Sequence, residues 1–130
     1  MIRRRPPENR RQSAVVCDDD PMVRRIVVAV LERCGYTAIE GTALASEAVE
    51  LAEAMQPSVI VLDLSLDEES GLDAIPLFRR VAPGSPIVVY SGAEAMKHHA
   101  RVAGADVVVD KVSLASLENL EAGIRSLPSG

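Results

Sequence analysis

Ser58-Val59-Ile60-Val61-Leu62-Asp63 reads as a strand that ends on an acid. Its four central residues are apolar without interruption, as a strand covered on both faces requires. Such a strand belongs in the middle of a parallel sheet. Working outward, short apolar runs near 14–17, 37–40, 58–62, 87–90 and 107–109 alternate with longer segments of helical pattern. This βαβα alternation predicts an α/β domain: a doubly wound, five-stranded parallel sheet with helices on both faces. The first helix has Asp20 as N-cap, Pro21 at its first position and a stop at Gly35. The second is predicted over 44–55 and the third over 72–81, with Pro76 straining only its first turns. A weaker fourth helix covers 94–103 up to Gly104, and a fifth covers 114–127, introduced by Ser113 or its neighbours.

At 130 residues the chain matches one domain, large enough to bury a core without disulfides. Residues 1–13 read as a flexible basic tail, 14–127 as the domain and 128–130 as a C-terminal end. The tail has almost nothing apolar to bury. Charge divides the same way: residues 1–11 carry five Arg and one Glu, a net +4, leaving 9 basic and 18 acidic residues beyond, a net −9. An acidic body and three aromatics (Tyr36, Phe78 and Tyr90) predict no direct nucleic-acid binding. No apolar run approaches the roughly 20 residues of a bilayer span, and no signal peptide is legible, which points to a cytoplasmic protein off the membrane. Cys17 and Cys34 lack CxxC or metal-ligand spacing and read as reduced thiols.

In a doubly wound sheet, ligands bind beyond the carboxyl ends of the strands. Here the first strand ends in Asp18-Asp19-Asp20, the third in Asp63, the fourth in Ser91-Gly92 and the fifth in Asp110-Lys111. The steps from Asp18 to Asp63, Ser91 and Lys111 are 45, 28 and 20 residues, or two βα units and then one each. One sheet edge therefore gathers them. Converging carboxylates of Asp18, Asp19 and Asp63 repel one another, and either a raised pKa or a bound cation must relieve that repulsion, a hard cation being the favoured answer. Mg²⁺ suits such a site because it takes oxygen ligands and bridges carboxylates to phosphoryl oxygens. Lys111 adds fixed positive charge, the Ser91 hydroxyl can donate to a phosphoryl oxygen, and Gly92 leaves room for the group. Asp20, beside Pro21, reads as a helix cap outside the site. Adjacent His98 and His99 point apart and read as surface residues, and Met22, Met55 and Met96 as packing residues.

The runs Val15-Val16-Cys17-Asp18-Asp19-Asp20, Ile60-Val61-Leu62-Asp63-Leu64, Gly71, Val89-Tyr90-Ser91-Gly92 and Asp110-Lys111 together resemble the receiver domain of two-component response regulators. The resemblance covers about 14–127. It implies a flavodoxin-like sheet in the order 2-1-3-4-5, Asp63 as phosphoacceptor, and Asp18 and Asp19 as the metal-binding acids with Asp63 and the Ser65 carbonyl. Ser91 corresponds to the switch hydroxyl and Lys111 to the family's lysine. It implies no enzyme of its own but a signalling module. That module takes its phosphoryl group from a sensor histidine kinase or phosphotransfer protein, passes a surface change to a downstream protein partner, and can form a homodimer.

The chain departs from the family pattern at three places. Leu66-Asp67, followed by Glu68 and Glu69, replaces a Met-Pro pair; Val112 replaces a proline after the lysine; and Val108 replaces the switch aromatic. Those departures favour an alternative, a degenerate receiver that binds partners without phosphorylation, while Asp63 and Lys111 oppose it. A phosphatase with an Asp nucleophile is disfavoured because Asp63-Leu64-Ser65 lacks a second acid, and neither GxGxxG nor GxxxxGK[ST] is present. With no second domain after the fifth helix, output is expected through a surface contact unless the coding sequence is truncated.

Overall fold

A computed structural model describes residues 12–66, 70–92 and 94–128. Five strands, β1 (Ser13–Cys17), β2 (Ala38–Thr42), β3 (Val59–Leu62), β4 (Ile87–Ser91) and β5 (Val107–Asp110), alternate with five helices. These are α1 (Pro21–Arg33), α2 (Ala45–Met55), α3 (Gly71–Val81), α4 (Glu94–Ala103) and α5 (Ser116–Arg125). Every strand pairing is parallel and the order is β2-β1-β3-β4-β5, with β3 central as its apolar run requires.

Side-chain alternation sorts the core into two layers. Val15, Cys17, Ile60, Leu62, Ile87 and Val89 face α2, α3 and α4, where Ala45, Ala48, Ala52, Ile75 and Phe78 meet them. Ala14, Val16, Val59, Val61, Val88 and Tyr90 face α1 and α5, against Val27, Leu31, Leu120 and Ile124. Each large aliphatic buried this way contributes about 1.5–3 kcal/mol. Small residues set the helix spacing: a Cβ on Gly123 would lie 2.9 Å from Val107 Cγ1, so α5 packs directly on β5.

Local signals place the helix ends. Asp20 accepts from the N–H groups of Met22 and Val23 at 2.9 and 3.4 Å, capping α1 as expected. The helix closes where Gly35 takes φ +97°, with Gly35 N–H bonded to Glu32 O and Tyr36 N–H to Leu31 O. Gln56, left-handed at φ 49°, ends α2 and donates to Glu53 O at 3.0 Å and to Val81 O at 2.9 Å. Pro76 lies on the exposed face of an uninterrupted α3.

Several boundaries differ from the sequence reading. β2 runs on through Gly41 and Thr42, because an edge strand tolerates a glycine that ordinarily marks a strand's end. Residues 113–115 form a turn in which Ser113 Oγ accepts from Ala115 N–H, so α5 starts at Ser116 and leaves Leu114 in solvent. β1 begins at Ser13, buried and inside the segment read as tail; the rest of that segment, to residue 11, lies outside the described residues, as do Asp67, Glu68 and Glu69. Met22 is not a packing residue: it is 58% exposed on the first turn of α1. Cys17 and Cys34 are unbridged, and His98 and His99 are exposed. No described helix is long and apolar enough to cross a membrane.

Candidate functional site

Backbone bonds running past the strand ends fix the acids before any side chain does. Asp18 N–H donates to Thr42 O at 3.1 Å, Asp63 N–H to Cys17 O at 2.9 Å, and Lys111 N–H to Ser91 O at 3.1 Å. Parallel pairing thus carries register one residue beyond the sheet and brings Asp18, Asp63, Ser91 and Lys111 to one edge. Arg24, from the second turn of α1, donates to the Asp18 carbonyl at 2.7 Å. The loop after β3 is held at both ends by a bridge between Ser65 and Ser70, and Gly71 N–H donates to Leu64 O at 3.2 Å.

Asp18 and Asp63 are 3% and 5% exposed, and Asp19 is partly exposed. One carboxylate oxygen from each lies within 4.8 Å of the others. Lys111 Nζ stands 2.9 Å from Asp18 Oδ2 and 3.3 Å from Asp63 Oδ2. The other Asp63 oxygen, Oδ1, accepts from the fully buried Ser91 hydroxyl at 2.8 Å and from Ser65 N–H at 3.2 Å. Ser91 Oγ in turn accepts from Leu64 N–H at 3.3 Å. Asp18 Oδ1 accepts from Asp20 N–H at 3.0 Å.

Burial holds the Asp18 carboxyl above its ordinary range, and the Asp63 charge adds to this, against the lowering effects of Lys111 and the Asp20 N–H. Burial pulls the Lys111 ammonium down, but its hydrogen bonds to Asp18 and Asp63 and their charges outweigh that and raise it. Among the described residues, the carboxylates of Asp18, Asp19 and Asp63 gather around the Lys111 ammonium. The donor set, carboxylate oxygens from two buried acids and one partly exposed one, fits a hard divalent cation such as Mg²⁺.

The expected residues therefore divide clearly. Asp18, Asp19, Asp63, Ser91 and Lys111 converge; Asp20 caps α1 and points its carboxylate away from the cluster. Gly92 is exposed next to Ser91, and a Cβ there would meet Val112 Cγ1 at 3.3 Å. Ser65 is exposed, its N–H turned to Asp63. Two contributors were not singled out from the sequence. Arg24 offers no signal, since its partner is a carbonyl. Tyr90 lies with its ring 5.6 Å from Lys111 Nζ, and the signal that could have found it is its place beside Ser91 at the carboxyl end of β4.

A doubly wound sheet with this acid, hydroxyl and lysine edge defines a flavodoxin-like domain built around an aspartate. The family model described as "Response regulator receiver domain" matches residues 14–124. The transcriptional regulatory protein MctR of Rhizobium johnstonii is 36% identical over 72 residues, covering 55% of this chain and 34% of that protein. The chemotaxis protein CheY of Thermotoga maritima is 29% identical over 85 residues, covering 64% of this chain and 71% of CheY. A response regulator from Burkholderia pseudomallei, solved with a phosphorylated aspartic acid, calcium ion and citrate, superposes with a TM-score of 0.71. It is 29% identical, covering 88% of this chain and 71% of that one. The chain belongs to the response regulator receiver domain family. It spans about a third of the length of MctR.

Proposed function

We propose that Asp63 accepts a phosphoryl group from a sensor histidine kinase or a phosphotransfer protein in a Mg²⁺-dependent reaction, and that the domain signals by a change of surface. The observation that carries this reading is the division of labour at Asp63: Lys111 holds one carboxylate oxygen and Ser91 the other, in a recess shared with Asp18 and Asp19. The phosphorylated aspartic acid and calcium ion of the Burkholderia relative support it by similarity.

An Asp63 oxygen attacks phosphorus, an O–P bond forms as the donor's N–P bond breaks, and the imidazole nitrogen leaves with the electron pair. Lys111 sets a positive charge 3.3 Å from Asp63 Oδ2 and then pairs with the incoming phosphoryl oxygens. Ser91 exchanges its Asp63 bond for a charge-assisted bond to a phosphoryl oxygen, worth about 1.5–3 kcal/mol. Asp18, Asp19, Asp63 and the Ser65 carbonyl would hold Mg²⁺, which supplies neutralisation of the phosphoryl charge. Gly92 leaves backbone room beside Ser91. The functional unit is taken as 14–127 extended by Ser13, the first residue of β1, with the rest of the basic tail and the last three residues outside it. It is read as a cytoplasmic signalling module rather than an enzyme, with a downstream protein as target, a homodimer as one assembly, and no direct contact with nucleic acid.

Beryllofluoride, which stands in for an aspartyl phosphate, separates this reading from a phosphorylation-independent binding module. Amide NMR of the wild type should show saturable shifts at Asp63, Ser91 and Lys111 that need both beryllofluoride and Mg²⁺. A spectrum unchanged by the two together would favour the module without phosphorylation.

A further inference from the structure

Lys111 is a flexible side chain that must stay aimed at two carboxylates. An ammonium on a four-carbon stem samples many rotamers unless something holds it. Two of its neighbours are Asp18 and Asp63; the third is an aromatic face. Tyr90, the penultimate residue of β4, is 4% exposed and places its ring 5.6 Å from Lys111 Nζ. At that distance the negative face of the ring attracts the ammonium, and the apolar wall limits its access to water.

The far end of the same side chain reaches another element. The Tyr90 hydroxyl donates to Ser116 Oγ at 3.1 Å, and Ser116 is the first residue of α5. Neither neighbour of Ser116 caps this helix through a side chain, so the bond from Tyr90 is a tie on its first turn. Tyr90 also lies on the α1 and α5 side of the sheet, opposite to Val108, which packs toward α2, α3 and α4. The compact Val108 has little volume to swing. The sheet face behind Lys111 therefore holds the aromatic that the β5 position lacks.

We infer that Tyr90 is a positioning residue for Lys111 and the link through which the state of the site reaches the start of α5. This rests on the reading of Asp63 as phosphoacceptor. When Lys111 shifts from the carboxylates to a phosphoryl oxygen, its contact with the ring changes, and the Tyr90–Ser116 bond passes the change to α5. The response then includes residues 112–117, where Val112, Leu114 and Leu117 are exposed.

Two variants separate the ring from the hydroxyl. In the metal-free protein, the Lys111 side-chain methylenes should show an aromatic ring-current displacement that persists in Tyr90→Phe and disappears in Tyr90→Leu. With acetyl phosphate and Mg²⁺, Tyr90→Leu should label about tenfold more slowly, and Tyr90→Phe should recover most of that loss. On beryllofluoride loading, Tyr90→Phe should keep the shifts at Asp63 and Ser91 but lose at least half of the wild-type change at Ser116 and Leu117. Wild-type Lys111 signals without the displacement would overturn the positioning role, and this outcome needs no folded Leu variant. A full wild-type response of the amides at positions 116 and 117 in both Tyr90→Phe and Ser116→Ala would overturn the link to α5. Failure of the wild type to bind beryllofluoride would defeat the phosphoacceptor reading instead, while the metal-free Lys111 shifts still decide the positioning.

Discussion

Gly71 sits where one more carbon would strike the backbone of the site: a Cβ there would lie 2.1 Å from Asp63 O and 2.8 Å from Leu64 Cα. Neither atom is the end of a flexible side chain, so Gly71→Ala must displace the loop that carries Asp63. We expect a loss of about 3 kcal/mol in urea unfolding together with weaker Mg²⁺ binding. Unchanged values for both would show that the loop yields freely. In the sequence this glycine was visible only as part of a family pattern; its reason was not, because the colliding carbonyl is eight residues back across a loop. Asp18 supplies a second test at this scale. Its pKa is raised in the fold, first by burial, so ionising it disfavours the folded state. Its contribution is most favourable below the ordinary value of 3.8 and is lost as pH rises through the higher folded value. Without metal, the melting temperature of Asp18→Asn relative to wild type should therefore climb as pH rises above the ordinary carboxylate value of 3.8, and Mg²⁺ should narrow that gap by stabilising the wild type alone. A difference that stays flat with pH would mean that burial of Asp18 carries no cost.

Among the elements, α1 shows how three consecutive acids acquire different tasks. Asp18 and Asp19 enter the cluster, while Asp20, one step further on, turns its carboxylate to the N–H groups of Met22 and Val23. Asp20→Ala should cost about 1 kcal/mol in stability and leave Mg²⁺ affinity as it was, by denaturation and by calorimetric titration. A large fall in Mg²⁺ affinity would place Asp20 in the site after all. The cap was legible because Asp-Pro before an apolar period is a local signal. The start of α5 was not: Leu114 fits the helical period, yet it lies in a turn held by Ser113, and only the tertiary position of the strand end decides between them. At the end of β4, Ser91 joins Asp63 to the loop at Leu64. Ser91→Ala should still bind beryllofluoride but show a reduced shift change through residues 91–111, with Val108→Ala close to wild type. A full change in the Ser91 variant would mean that its hydroxyl is not the trigger.

For the molecule as a whole, the regular spacing of acids, hydroxyl and lysine was enough to predict one site, because a parallel sheet returns every strand in the same direction and ends it on the same edge. What spacing could not reveal is which contact each group makes once there: that Lys111 spans Asp18 and Asp63, that Arg24 grips a carbonyl, or that Tyr90 underlies the lysine. Those depend on side-chain directions set by packing across two layers. The central claim, that this edge directs phosphoryl transfer to Asp63, is open to direct measurement by intact mass after incubation with acetyl phosphate. Wild type with Mg²⁺ should gain one phosphoryl adduct, and both wild type with chelator and Asp63→Asn with Mg²⁺ should gain none. An adduct of equal yield on Asp63→Asn, or one indifferent to Mg²⁺, would contradict it.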